Sequence, residues 1–280
     1  MKKQILTILT ILISAFTFAC DCSETNPIME FYSSEYVFEG KIISKIYAKD
    51  SLTYKITFDI SKHYKNGDSP KKLEFEAFSK GRFNSEGKYI GKGSNCDSYP
   101  EKGEIWLIYT KRYKGKLYFP NICSNSKNTD YRQVRIEEQK TLDNGNSFKL
   151  ENFIYQFEHD FNYTKPISDI DSILKTGQIK DYEKPFTWLN LYVDKDGNLN
   201  SVTTHIGYQL KTDSIFNLPN EFKIKLRKPL TEFEKDAIEL VKKVQKWEIK
   251  KHRKTNVSVP YIRHLAIEFD KEKKEWKYEL

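Results

Sequence analysis

The chain has 280 residues and a formal net charge of +8, from 47 basic and 39 acidic side chains. Lysine is spread along the chain among comparable numbers of Asp and Glu, which indicates a solvated surface and argues against a nucleic-acid partner. Helix-turn-helix, zinc-finger and RNA-binding signatures are absent from the sequence. Tyr and Phe, at 18 each, favour β-strands. The length suits two domains. Together with the strand and helix patterns described below, it leads us to expect an α+β protein.

Residues 1–19 have the features of a secretory signal. Lys2 and Lys3 precede an apolar run, residues 5–18, that is too short to span a bilayer comfortably, and the small residue Ala19 follows. No later segment is apolar for long enough to form a membrane helix. We therefore expect a secreted or periplasmic protein with no membrane span once the signal is removed, in a compartment where disulfides persist.

Four cysteines are present: Cys20, Cys22, Cys96 and Cys123. They allow three pairings, and spacing does not choose among them, although a Cys20–Cys22 link is sterically poor. Each long loop closed by a bridge would stabilise the fold by roughly 4 kcal/mol. A four-thiolate zinc site is disfavoured because export favours oxidation, so we expect no metal and no other cofactor.

Cys20 also permits a second interpretation, because a cysteine directly after a signal can be the acylated first residue of a bacterial lipoprotein. Thr17 stands where such signals usually carry an aliphatic residue. Acylation of Cys20 would leave three cysteines, an odd number, in an oxidising compartment. Two bridges are therefore favoured, and a lipid-anchored cell-surface protein is the minority alternative.

Residues 20–127 contain strand patterns separated by turn residues. In the second strand, Leu52, Tyr54, Ile56, Phe58 and Ile60 alternate on one face. Five strands with bulge-type glycines predict a small Greek-key barrel of the oligomer-binding (OB) type. The predicted strands cover 36–47, 52–60, 73–78, 105–109 and 117–119.

The remainder divides into a helical connector, 128–185, and a C-terminal domain, 186–280. Apolar spacing predicts connector helices over about 147–161 and 167–174. The last domain begins with a hairpin turning at 194–198, and Thr231 with Glu234 forms a capping box before the next helix. A final strand over 261–269 completes a small β-β-α-β domain.

The arrangement of 20–127 resembles the netrin-like domain of the tissue inhibitors of metalloproteinases. The likeness rests on the Cys-x-Cys at the expected mature start, the strand Val37–Ile42, the hairpin ending at Phe58–Ile60, Cys96, Gly103–Tyr109 and Cys123. It implies an OB-type barrel with bridges Cys20–Cys96 and Cys22–Cys123.

In that family the amine and carbonyl of the first cysteine coordinate the zinc of the inhibited protease. The resemblance therefore implies possible protease contacts at Cys20, Asp21, Cys22 and Ser23, with a zinc protease as a possible partner. The inhibitors carry further cysteines, whereas this chain has four, and Asp21 and Glu24 add acidic groups at this site. A generic protein-interaction module is accordingly the first hypothesis, and inhibition through the Cys20 amine is the alternative.

The C-terminal part resembles the TonB C-terminal domain over about 186–270. The likeness lies in Tyr192–Leu199, the helix Ala237–Val244, Trp247, Val259–Ile262 and Ile267–Phe269. It implies a periplasmic or surface binding fold with a sheet edge able to pair with a partner strand.

Other motifs do not indicate chemistry. The turn 194–198 fails the calcium-loop pattern, because the sixth position is Leu199 and the twelfth is His205. The sequence has no catalytic Ser, zinc-protease or phosphate-loop motif, so we expect no catalytic residues and no enzyme. The five histidines show no metal-ligand spacing and are expected to be surface or half-buried residues: His63, His159, His205, His252 and His264.

Overall fold

A computed structural model describes residues 20, 22, 26–83, 85–155 and 164–280. The chain forms two compact units, Met1–Phe148 and Lys149–Leu280. The boundary falls inside the stretch 128–185 that was predicted as a connector. The predicted signal, residues 1–19, lies outside the described residues.

The first unit is built on an antiparallel sheet whose three long strands are the predicted ones. Apolar residues alternate with polar ones along these strands, so one face of the sheet is buried around Phe38, Phe58 and Phe75. The strands of the unit are β1 (Tyr36–Tyr47), β2 (Thr53–His63), β3 (Lys72–Phe78), β4 (Arg82–Phe83), β5 (Tyr89–Ile90), β6 (Ile105–Thr110), β7 (Arg112–Tyr113), β8 (Lys116–Leu117) and β9 (Lys127–Asn128).

The five-stranded sheet has the order β3-β2-β1-β6-β9. Strand β1 is central, and register shifts at Glu39/Gly40 and Ile42/Ser44 mark bulges in its pairing with β2. Beyond β3 the described chain shows one isolated parallel bridge, Glu76 to Tyr118. The mixture of helices and antiparallel sheets agrees with the expected α+β class. The five strands pair in a linear order in the described residues, so closure into an OB-type barrel stays a prediction.

Two helices flank this sheet. Helix α1 (Pro27–Ser33) begins at Asn26, whose side chain accepts a hydrogen bond from the Ile28 amide, and Pro27 occupies the first turn. Helix α2 (Ile136–Asn144) was not predicted. Its Glu138 is buried and accepts hydrogen bonds from the Tyr109 hydroxyl and from Lys127.

The helix predicted over 147–161 is wrong in its described part. Residues 145–147 and 150–152 form single 3-10 turns, and Phe153 is extended. The Ile154 amide donates to the Pro219 carbonyl at 2.7 Å and the Tyr155 amide to the Pro260 carbonyl at 2.8 Å. These long-range bonds satisfy the backbone donors that a helix would have used, so tertiary structure overrides the aromatic spacing. Residues 156–161 of that prediction lie outside the described residues.

The second unit places two helices against a four-stranded sheet of order β11-β10-β14-β15. Its strands are β10 (Phe186–Val193), β11 (Leu199–Thr204), β12 (Tyr208–Thr212), β13 (Pro219–Ile224), β14 (Tyr261–Asp270) and β15 (Glu275–Glu279), and its helices are α3 (Ile170–Leu174) and α4 (Glu232–Val241). The predicted β-β-α-β order is present, with the hairpin β12–β13 and the edge strand β15 in addition.

The core of this unit lies between α4 and one face of the sheet. Trp247, fully buried, and Leu189, Leu191 and Val193 of β10 belong to it. The predicted capping box at Thr231 and Glu234 is present, with both reciprocal hydrogen bonds formed. The opposite face of β10 carries Trp188 and Asn190, because side chains alternate along a strand.

Candidate functional site

Two disulfides lie side by side at the expected mature start. Cys20 is bonded to Cys96 and Cys22 to Cys123, with Cα–Cα distances of 5.4 and 5.1 Å. This is the pairing that the netrin-like resemblance implies. The Cys20 and Cys123 sulfurs, which belong to different bridges, are 3.7 Å apart. All four cysteines are half-buried, and all four sulfurs are used in bridges, so they offer no thiolate to a metal.

The loops that receive the two bridges are joined to each other by backbone hydrogen bonding. The Ile122 amide donates to the Cys96 carbonyl at 2.9 Å. The Cys96 amide donates to Ser94 Oγ at 3.2 Å, and the Tyr99 hydroxyl donates to the Ser94 carbonyl at 2.7 Å. The Cys-x-Cys segment is therefore attached to two loops that already hold each other.

Helix α1 supports the same loops through Glu30. Its carboxylate accepts hydrogen bonds from Ser124 Oγ at 2.6 Å and from the backbone and side-chain amides of Asn125, both at 2.7 Å. Ser126 Oγ in turn accepts from the Tyr109 amide of β6 at 2.8 Å. Charge-assisted bonds of this kind are among the stronger polar contacts in proteins, so Cys123 is anchored to both helix and sheet.

Lys65 holds the other end of α1. Its ammonium donates to the carbonyls of Phe31 and Tyr32 at 2.8 and 2.9 Å, and to that of Ser34. These acceptors lie at the helix C-terminus, where the last carbonyls lack the amides of a following turn, and the Phe31 carbonyl also accepts a longer bond from the Ser34 amide at 3.3 Å. Burial lowers the pKa of Lys65.

The structure thus describes two of the four predicted contact residues, Cys20 and Cys22, and brings them together. Asp21 and Ser23 lie outside the described residues. Ile122, beside Cys123, is 44% exposed as a residue and adds an apolar group next to the bridges. Sequence reasoning missed Ile122, because it lies in a loop without periodicity.

A second cluster of polar side chains was not predicted from the sequence. His205 and His264 are 59 residues apart in the chain, yet their ring centroids lie 5.8 Å apart on the face of the second sheet that is turned away from α4. Both residues are exposed. His205 lies in the tight turn after β11, and His264 lies in β14 directly opposite Asn190 of β10.

Asn190 lies beneath the two rings and is fully buried. Its Nδ2 donates to the His205 carbonyl at 3.0 Å, so its Oδ1 is directed to His264 Nδ1, 2.5 Å away. An amide oxygen only accepts hydrogen bonds, and the proton of neutral His264 is therefore on Nδ1. The lone pair of His264 is consequently on Nε2. Although His264 is exposed as a whole residue, partial desolvation of its ring by surrounding atoms lowers its pKa, and the neighbouring His205 and Arg263 add to this effect.

A stack of three aromatic rings covers one end of the same face. Phe222 of β13 is stacked between Tyr192 and Tyr208, at centroid distances of 5.3 and 4.9 Å. Toward the other end Trp188 is 47% exposed. The histidine pair therefore lies between a covered part and an open part of the sheet.

No protein-family model matches the chain, and no curated protein matches it. Within the part of the chain that the structure describes, no helix combines the length and apolar character needed to cross a bilayer.

Proposed function

We propose that this chain is an exported, disulfide-stabilised protein-interaction module with no catalytic activity of its own. In this proposal the first unit is a netrin-like domain of the OB type and the second a TonB-C-like binding domain. The observation that carries the proposal is the pair of adjacent bridges at Cys20 and Cys22, which fasten the expected mature start to two mutually bonded loops.

The physical advantage of this arrangement is preorganisation. A free chain end loses conformational entropy when a partner orders it, at a cost of about 1–2 kcal/mol for each residue backbone. Here the two bridges fix Cys20 and Cys22, and the bond from Ile122 to Cys96 and the contacts of Glu30 hold the loops to which they are attached. A partner that binds at Cys20 would therefore lose less binding free energy to the ordering of the chain and would bind more tightly.

A photo-crosslinking experiment tests this assignment. Ile122 and Ile136 are both exposed isoleucines of the first unit, 44% and 74%, and only Ile122 adjoins the bridges. Each is replaced separately by a photoreactive phenylalanine analogue in the exporting cell. We expect a discrete protein adduct from position 122 that disappears in the Cys22→Ser/Cys123→Ser background and is absent from position 136. Adducts that are equal at both positions, or unaffected by loss of the bridge, would contradict the proposal.

The alternative function is inhibition of a zinc protease through the Cys20 amine and carbonyl. It is favoured by the pairing Cys20–Cys96 and Cys22–Cys123, which agrees with that of the inhibitor family. One extra alanine before Cys20 would move the amine away from the metal and should abolish inhibition. Inhibition that survives this insertion would exclude the amine mechanism and leave the interaction module untouched.

A further inference from the structure

The outer face of the second sheet brings two histidine rings to within 5.8 Å of each other, measured between centroids. We propose that His205 and His264 bind a divalent transition-metal ion that prefers imidazole ligands, such as Zn²⁺, with Asn190 as the positioning residue and water in the remaining coordination positions. Imidazole nitrogen is a preferred ligand of Zn²⁺, Cu²⁺ and Ni²⁺.

The separation of the rings fits this assignment. Zinc–nitrogen bonds are about 2.0–2.1 Å, so two imidazoles on one tetrahedral ion have centroids about 5 to 6 Å apart. The His205 and His264 centroids are separated by 5.8 Å, with an angle of 59° between the ring planes.

The hydrogen bonds beneath the rings provide independent support. A metal-ligating histidine characteristically donates its second ring N–H to an oxygen, which sets both its tautomer and its orientation. His264 Nδ1 donates to Asn190 Oδ1, and the amide of Asn190 is itself oriented by the His205 carbonyl. The same buried amide therefore directs Nε2 of His264 outward and joins the two ligand-bearing segments.

The turn that carries His205 is also well defined. The Gly207 amide donates to the Thr204 carbonyl at 2.9 Å, and Thr203 Oγ1 donates to the Gly207 carbonyl at 3.1 Å. A Cβ atom at Gly207 would lie 2.3 Å from Thr203 Oγ1, so a larger residue would displace the turn. His205 is therefore held beside the sheet by local backbone structure rather than by a mobile loop.

The test is Zn²⁺ titration of the oxidised full-length mature protein, followed by long-range proton–nitrogen NMR of the histidine rings. Without metal, we expect His264 to show the tautomer protonated on Nδ1. With Zn²⁺, the Nε2 resonance of His264 and one nitrogen of His205 should shift together and saturate at one equivalent. An Nε2-protonated tautomer of His264 in the metal-free protein would overturn the proposal without any need for a variant.

Variants provide the second arm. His205→Gln and His264→Gln should each weaken Zn²⁺ binding about tenfold or more, since even residues that only orient a ligand contribute about 10- to 100-fold. His63→Gln, in the other unit, is the matched control and should bind as the wild type does. The site would be refuted if the wild type did not bind Zn²⁺, or if the double variant His205→Gln/His264→Gln bound Zn²⁺ as tightly as the wild type.

Discussion

The two disulfides should make nearly equal contributions to stability, although their sequence separations of 76 and 101 residues differ. When one bridge is intact, it already joins two distant parts of the chain, so the other bridge closes only a short loop. That loop runs along two residues from Cys20 to Cys22, across the intact bridge, and along 27 residues between Cys96 and Cys123. This path of about 29 residues is the same for both bridges, and the loop-entropy relation gives about 3.6 kcal/mol for each. Removal of both bridges should cost about 8 kcal/mol, because the first bridge closed in an open chain spans a much longer loop.

The assay compares the double variants Cys20→Ser/Cys96→Ser and Cys22→Ser/Cys123→Ser by hydrogen exchange of the slowest amides in β1 and β6, which lie in the first unit. A loss of about 3.6 kcal/mol corresponds to about 400-fold faster exchange in both variants. The slowest amides of β10 and β14 serve as the internal control. Single costs of about 4.5 and 4.7 kcal/mol that simply add to the cost of removing both bridges, as independent loops of 76 and 101 residues would give, would contradict a shared path.

Three further predictions follow from single side chains. Lys65→Met should lower the unfolding free energy of the first unit by about 1.5–3 kcal/mol in urea denaturation, because the carbonyls at the end of α1 lose a charged donor; no change would show that water replaces the ammonium. Thr231→Ala should cost the second unit about 1 kcal/mol, and Thr231→Ser much less, since Ser retains the cap of α4. Burial and, to a smaller extent, the charge of Lys254 lower the pKa of His252 in the folded chain. As the pH drops below about 6.5, this histidine therefore binds a proton in the unfolded chain before it does in the folded one. The free energy of unfolding of the second unit should fall over this pH range. His252→Gln should flatten that slope in thermal melts, and His63→Gln should not.

The long strands could be predicted because their signal is local. In β2 the alternation of Tyr54, Ile56 and Phe58 with polar residues matches the buried and exposed faces of the strand. The capping box at Thr231 is likewise read from four consecutive residues. Strand β15, by contrast, was missed, because Glu275–Glu279 carries alternating charges and becomes a strand only through pairing with β14.

The candidate sites differ in the same way. The bridges could be predicted from the number and spacing of the cysteines together with the netrin-like resemblance, since a Cys-x-Cys with two distant cysteines is conspicuous in the sequence. The pair His205 and His264 has no sequence signal: the two residues adjoin only because β10 pairs with β11 on one side and with β14 on the other. Asn190, which lies at that junction, looks like an ordinary polar residue in a strand until its burial is known.

Mass spectrometry of the purified exported protein shows whether the chain is processed before Cys20 and whether two bridges hold its new end. We expect a mature chain that begins at Cys20, with an intact mass lowered by the loss of two hydrogens per bridge, and with peptides that link Cys20 to Cys96 and Cys22 to Cys123. An acyl group on Cys20, or a peptide that links Cys20 to Cys123, would contradict this expectation.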